Sequence, residues 1–393
     1  MKKWLIVAFF FLLNKSFGQT INNINISGNN ISKKETILFF FYEYTYQNRR
    51  NFSEEALINS LKSFKRRLER TGWYRNIKVE FITNSNDITL VDINVSFTEK
   101  IPYTLYLKNN YLGIGKYNIW GEGKEIAFEI GLNHKSIKIT DRMFNFSTYF
   151  YECYLGSESF LFSQFVNDSY EETQLLKQRG YFRLGNNIFP DNQLFLQANL
   201  LWIQDTNQVT LKNLNYFTLS WVFDITEGYP VILNGLKLGS YFNFYTDLLF
   251  SLEDEINAYL NIFPGVVIAI RLHSIFSYPE LPPYQKYSLR SMNGLRTLSS
   301  FSGMIGDNVW DGHLEVRWAF WDVIPFLLYD LQLEAFAFAE MGEAREKITD
   351  FGSPHIVYGG GIRIYLDTFA IRTEIGVDKT SKVSVLSSFE LPF

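Results

Sequence analysis

From Tyr103 to the C-terminus, apolar and polar residues alternate with a period of two. Trp310, Leu314, Val316, Trp318 and Phe320 alternate with Asp311, His313, Glu315 and Arg317. Ile362, Ile364 and Leu366 alternate with Arg363, Tyr365 and Asp367, and Phe369, Ile371, Ile375 and Val377 with Arg372, Glu374 and Asp378. Such runs, about ten residues each, are separated by clusters of Gly, Asn, Asp and Ser, as strands are by turns. In a β-sandwich the apolar face packs on a second sheet and the charged face meets water. Here one face is large and apolar while the other carries both signs of charge, strand after strand. That contrast predicts lipid outside and a hydrated, ion-paired lumen inside, hence a transmembrane antiparallel β-barrel. About sixteen strands fit between Tyr103 and Phe393, and bacterial single-chain barrels use even numbers. The stretch from Thr140 to Gly180 is the hardest to divide into strands.

Thr20 to Glu99 follows a different pattern. Ile21, Ile24 and Ile26, followed by Gly28-Asn29-Asn30, predict a strand and a turn. Ser32 stands where it can cap a helix to about Phe41, with Glu35 at capping-box spacing. Ser53, with Glu54 and Glu55 in the first turn, starts a second helix. Its Ala56, Leu57, Leu61, Phe64 and Leu68 lie on one helical stripe, and Gly72 ends it. Ile77, Val79 and Phe81 alternate as a strand, and so does Leu90 to Phe97, with Asn84-Ser85-Asn86-Asp87 turning between them. The predicted order is β-α-α-β-β, a small α+β domain.

Residues 1–18 have the form of a secretory signal peptide. Lys2 and Lys3 precede an apolar run from Trp4 to Leu13, and Ser16-Phe17-Gly18 provides small residues for cleavage before Gln19. The run is too short for a spanning helix, which needs about 20 apolar residues, and no Cys follows it. The expected division is 1–18 signal peptide, 19–100 periplasmic domain and 101–393 barrel.

Composition sharpens this reading. Aromatic residues make up 18% of the 393, with 37 Phe, 24 Tyr and 8 Trp, as barrels with interfacial aromatic girdles require. The mean hydropathy of −0.08 is far below that of a bundle of membrane helices, whereas alternating strands average near zero. A net charge of −4 argues against a nucleic-acid partner. Cys153 is the only cysteine, which excludes disulfides and thiolate metal sites.

The β-α-α-β-β order, with the phrase LERTGWYRNIKVEF running into the second strand and Glu99 closing the third, resembles a POTRA domain. POTRA followed by a barrel resembles the BamA/TamA family of outer-membrane assembly and translocation proteins, also described as bacterial surface antigen barrels. Three later segments carry the same resemblance. GLRTLSSFSGMIGDNVWDGHLEVRW is similar to the family's long extracellular loop and the strand after it. There a Leu/Val-Arg-Gly-aromatic motif folds into the lumen, and Gly294-Leu295-Arg296-Thr297-Leu298 occupies its place, with Thr297 instead of the Gly and Leu298 instead of the aromatic. AFAFAEMGEA is similar to the next strand, with Phe338-Ala339-Glu340-Met341-Gly342 for Phe-x-Asp-x-Gly. GGGIRIYLDTFAIRTEIGV is similar to the closing strands. The ending Phe389-Glu390-Leu391-Pro392-Phe393 resembles the C-terminal insertion signal of outer-membrane barrels, with Pro392 a departure from it.

The resemblance implies an ion pair between Arg296 on the loop and Glu340 on the strand. Alternation puts Gln332, Glu334 and Glu340 on the lumen side and Leu331, Leu333 and Ala335 outward. Arg290, in Leu289-Arg290-Ser291, is the competing loop tip, and the Ser-Phe-Ser-Gly segment after Arg296 favours Arg296. The resemblance also implies a function in assembling outer-membrane proteins or moving proteins to the surface. A seam near Ile126–Leu132 and Val383–Phe393 would then admit client strands. The expected partners are outer-membrane lipid, unfolded clients at the POTRA domain and accessory periplasmic proteins. Rival readings are a secretion pore for one dedicated partner and a structural surface barrel.

No catalytic constellation stands out. His134, His273, His313 and His355 are scattered without spaced carboxylate partners, so no metal site is expected. Gly113-Ile114-Gly115 and Gly359-Gly360-Gly361 read as barrel turns or tight curvature, not phosphate loops. There is no Gly-x-Ser-x-Gly elbow. An enzyme is not expected, nor a cofactor.

Overall fold

The computed structural model describes residues 19–45, 51–85, 87–108, 111–144, 147–166, 169–189, 191–205, 211–213, 215–228, 232–280, 286–289, 295, 305–320, 324–326, 329–347, 352–366, 369–379, 381 and 383–390. The expected signal peptide lies outside the described residues. The chain divides into one unit that ends at Lys100 and includes residues 120–122, and a second made of Ile101–Ile119 and Gly123–Phe393.

The first unit is built from β1 (Gln19–Ser27), α1 (Lys34–Phe39), α2 (Tyr42–Thr45), β2 (Asn51–Phe52), α3 (Glu54–Arg70), β3 (Tyr74–Thr83) and β4 (Leu90–Glu99). Its sheet order is β2-β1-β4-β3, with β1 parallel to β4 and β3 antiparallel to it. Helix α3 starts where expected, because Ser53 Oγ accepts from the Ala56 amide at 3.2 Å. It ends against Gly72, whose φ of +67° suits a residue without a Cβ. The stripe of Leu57, Phe64 and Leu68 is fully buried with Ile37, Phe41, Val91 and Ile93. Phe41 and Phe64 stack at 5.0 Å.

Ser32 does not cap α1, as the sequence led us to expect. The cap is Lys33, without a side-chain bond. Ser32 instead meets Tyr74 Oη through its hydroxyl at 2.9 Å, and its amide donates to Glu99 Oε1 at 2.7 Å. Glu99 also accepts from the Ile31 amide. A carboxylate at the end of β4 therefore organises the β1–α1 turn and supersedes the local cap. Burial of Tyr74 raises its phenol pKa well above the ordinary value.

The second unit is a closed barrel. Its strands are β5 (Tyr103–Lys108), β6 (Tyr111–Ile119), β7 (Lys124–Gly131), β8 (His134–Asp141), β9 (Tyr149–Val166), β10 (Ser169–Phe189), β11 (Asn192–Asp205), β12 (Leu211–Asn213), β13 (Tyr216–Asp224), β14 (Gly235–Tyr245), β15 (Phe250–Phe263) and β16 (Val266–Tyr278). After a short ribbon of β17 (Tyr287–Ser288) and β18 (Ile305–Gly306) come β19 (Asn308–Ala319), β20 (Ile324–Phe326), β21 (Tyr329–Arg345), β22 (His355–Leu366), β23 (Phe369–Asp378) and β24 (Val383–Glu390). Segment β12 continues β13 along β11, and β20 continues β19 along β21. The ring therefore has sixteen crossing strands, closed where β24 meets β5. We call the end where β5 begins the near end, and the opposite one the far end.

The stretch that resisted division holds one tall hairpin. β9 and β10 pair from Tyr149↔Asn186 to Val166↔Ser169, whereas β8 reaches only Glu158 on its side. The two glycine clusters lie inside β6 and β22, not at turns.

Alternation sorts the side chains as the pattern predicts. Large apolar residues face outward and stay accessible, with Leu155 at 63%, Trp318 at 56% and Ile362 at 54%. A water-exposed belt of that extent is not stable, whereas a lipid-facing one is. Charged residues of the other face are buried, among them Arg271, Asp311, Glu315, Arg317, Glu334, Arg363 and Glu374. No helix among the described residues is long and apolar enough to cross a membrane.

Two substitutions test this sorting. Leu272→Arg, at the middle of outward-facing β16, should destabilise the barrel by about 2–4 kcal/mol, read by chemical unfolding in lipid vesicles. Phe64→Ala should cost the first unit about 3–5 kcal/mol, seen as a lower denaturation midpoint with barrel unfolding unchanged.

Candidate functional site in the barrel lumen

The inner faces of β15, β16, β19, β21 and β22 carry the densest chemistry. Arg363 donates to both oxygens of Glu315, at 2.8 and 3.1 Å, and to Glu334 at 2.9 Å. Arg317 donates to Glu315 at 2.7 Å, and Tyr365 donates to Glu334 at 3.3 Å. All five are buried. A bidentate guanidinium suits two carboxylates taken out of water, because its fork supplies directed donors to both. Arg363 also lies over the Phe336 ring at 4.2 Å.

Towards the far end runs a second chain, Glu253–His273–Asp311–His313–Glu340. His273 sits 3.2 Å from Glu253 and 2.8 Å from Asp311. His313 sits 2.7 Å from Asp311 and 2.9 Å from Glu340. Register creates this chain, since His273 lies opposite Asp311 and His313 opposite Glu340. Among the described residues, no group of His, Cys, Asp and Glu could hold a metal ion. Along the adjoining wall, from β11 to β15, a polar ladder joins Asn199, Thr218, Asn243 and Ser251 at 3.1, 2.7 and 3.0 Å.

The connection between β16 and β19 returns into the lumen from the far end. Leu289 and Leu295 are buried against Val309, Phe336, Phe338, Ala344 and Val357, all on inner faces, with Tyr287 packed beside them. Tyr287 Oη donates to Ser251 Oγ at 3.4 Å, joining the loop to the polar ladder. Lys286 pairs with Glu346 at 2.8 Å, which raises the lysine pKa and lowers the glutamate's. Phe336 and Phe338 lie opposite Gly361 and Gly359. A Cβ on Gly359 would stand 2.8 Å from the Phe338 ring, so this glycine makes room for the aromatic seat of the loop.

Comparison with known proteins agrees with this architecture. The POTRA family model, described as a surface antigen variable number repeat, matches residues 19–100. The fold resembles BamA from Haemophilus ducreyi lacking POTRA domains 1–3, with 13% identity and a TM-score of 0.54 over 94% of this chain and 83% of that one. It also resembles CdiB from Escherichia coli, with 10% identity and a TM-score of 0.65 over 95% and 76% of the two chains. CdiB from Acinetobacter baumannii gives 11% identity and a TM-score of 0.56 over 95% and 73%. No curated protein matches the sequence. The chain thus joins a segment that matches the POTRA model to a barrel that shares the fold of BamA and CdiB.

In this POTRA-plus-barrel chain the expected site residues fall as follows. Arg296, Gly294, Thr297 and Leu298 lie outside the described residues, as do Arg290, Leu391 and Phe393. Leu295 is buried in the lumen and Phe338 forms part of its seat. Glu340 is buried against His313. Gly342 lies opposite Asp311, where a Cβ would approach the Trp310 carbonyl at 2.7 Å. Phe389 belongs to β24, opposite Ile371.

Two expectations are corrected. The barrel's first strand is Tyr103–Lys108, so the seam joins β5 to β24, and Ile126–Leu132 falls on and just beyond the third strand. Short β5 and β6 have weaker alternation than β7, which drew the reading inward. Two histidines do have carboxylate partners: His273 bridges acids on two other strands, and His313 joins Asp311 of its own strand to Glu340 of the next. Asp311 and His313, two apart on one strand face, were the signal available in the sequence.

Arg363→Ala would leave Glu315 and Glu334 short of their shared cation. We expect a loss of about 3–5 kcal/mol, measured as a lower temperature for the heat-modified gel shift of the folded barrel.

Proposed function

We propose that this protein sits in the outer membrane, its POTRA domain in the periplasm, and assembles or translocates other proteins there. The observation that carries this reading is the joining of a POTRA domain to a closed sixteen-strand barrel with a lipid-facing apolar belt. Strand β3 forms one edge of the POTRA sheet and spans ten residues. An edge of that length offers a ladder of backbone donors and acceptors to an extended client, the chemistry of β-augmentation. Strand addition at the β5–β24 seam would insert a client strand while the other ladders stay intact. Outer-membrane lipid and unfolded client proteins are the proposed partners, with accessory periplasmic proteins at the POTRA domain.

Within this reading Arg296 pairs with Glu340 and fixes the loop in the lumen. The burial of Leu295, its immediate neighbour, against Phe338 on the same strand as Glu340 supports the pair. A desolvated guanidinium needs such a carboxylate.

Depleting the protein and quantifying the outer-membrane proteome should lower specific barrel or surface proteins, whereas unchanged levels of all of them refute the reading. Photo-crosslinking from β3 in living cells should capture those same clients. For the loop, Arg296→Glu and Glu340→Arg should each impair client levels. The double exchange should restore them, and a double variant as impaired as the singles would refute the pair.

A further inference from the structure

The connection between β13 and β14, at the near end, is a built hairpin. The Ile225 amide donates to Leu236 O at 2.9 Å, the Glu227 amide to Asn234 O at 2.7 Å, and the Leu233 amide to Glu227 O at 2.8 Å. Asp224 Oδ1 accepts from the amide and the hydroxyl of Thr226 at 2.9 and 2.7 Å. Gly235 has a φ of +118°, and a Cβ there would stand 2.4 Å from Ile225 O. The hairpin therefore leaves the wall along a path that glycine alone permits without strain.

The placement of Leu233 is informative. It packs on Tyr365 and Ala370, near the near-end tips of β22 and β23. It also packs, with Ile232, on Tyr259, Val267 and Ala269 of β15 and β16. Two whole strands, β19 and β21, separate these patches around the ring. A side chain touching both stands out from the wall and bridges part of the lumen. The patches are buried inner-face residues, so the contact is apolar on both sides. At the far end Leu289 and Leu295 occupy the lumen from the other direction.

We propose that Ile232 and Leu233 form a latch that closes the near mouth of the barrel to ions and small solutes. An apolar constriction excludes water and therefore hydrated ions, without needing to fill the whole cross-section. The contacts that Ile232 and Leu233 make with the wall are apolar and non-directional, so the closed state can be left and regained. A passing polypeptide displaces the same two side chains. The latch makes the resting barrel tight although sixteen strands enclose a wide lumen.

The test uses the full-length protein in planar lipid bilayers, without client. Wild type should remain largely non-conducting. Ile232→Gly with Leu233→Gly should raise the mean conductance about tenfold as the constriction wets, with folding checked by heat-modified gel migration. A folded variant conducting like wild type overturns the proposal. A second variant carries Cys153→Ser with Leu233→Cys and Ala370→Cys. Its oxidised form should show fewer opening events than its reduced form, and identical currents in the two states overturn the latch even where the glycine variant fails to fold. Because ion currents are read without a client, failure here leaves the assembly reading standing.

Discussion

A strand cannot end in hydrocarbon with bare backbone. Each unpaired amide or carbonyl costs several kcal/mol where no water can reach it, so a sheet in a bilayer must close on itself. The ring from β5 to β24 is this constraint made physical. Closure fixes register around the whole wall, and register fixes which charges meet. Thus Arg363, opposite Glu334 on β21, also reaches Glu315 on β19. The buried acids and bases of the lumen are tolerable only because closure delivers partners to them.

The same constraint shapes the interior. Sixteen strands enclose more space than wall side chains can fill. The chain fills part of it from the far end with Leu289 and Leu295 seated on Phe336 and Phe338, and at the near end with Leu233. Gly359 in β22 is the complement of that seat, since the Phe338 ring lies 2.8 Å from where its Cβ would be. The lumen is therefore organised as ion-paired wall and apolar contacts in layers, and less hydrated than the alternation of charge suggests.

The two units differ in the same respect. The POTRA domain has β3 at the edge of its sheet and a core of its own. The barrel has a closed ladder and an occupied lumen.

The linear chain by itself determined the fold class, the strand number and the main elements of the α+β domain, though not its short α2 and β2. It could do so because side-chain direction alternates locally along a strand and recurs every 3.6 residues on a helix. The contrast between Trp318 and Arg317, or the stripe from Leu57 to Leu68, needs no knowledge of distant neighbours. Tertiary structure alone decided what each inward residue touches. His273 and Asp311 are 38 positions apart and meet through register, while Leu233 reaches strands far along the ring. Ser32 fits a local capping rule, yet Glu99 and Tyr74, brought close by the sheet, claim it. Periodicity records which side of a strand faces lipid; partners across the lumen depend on shear and closure, which only the assembled ring possesses.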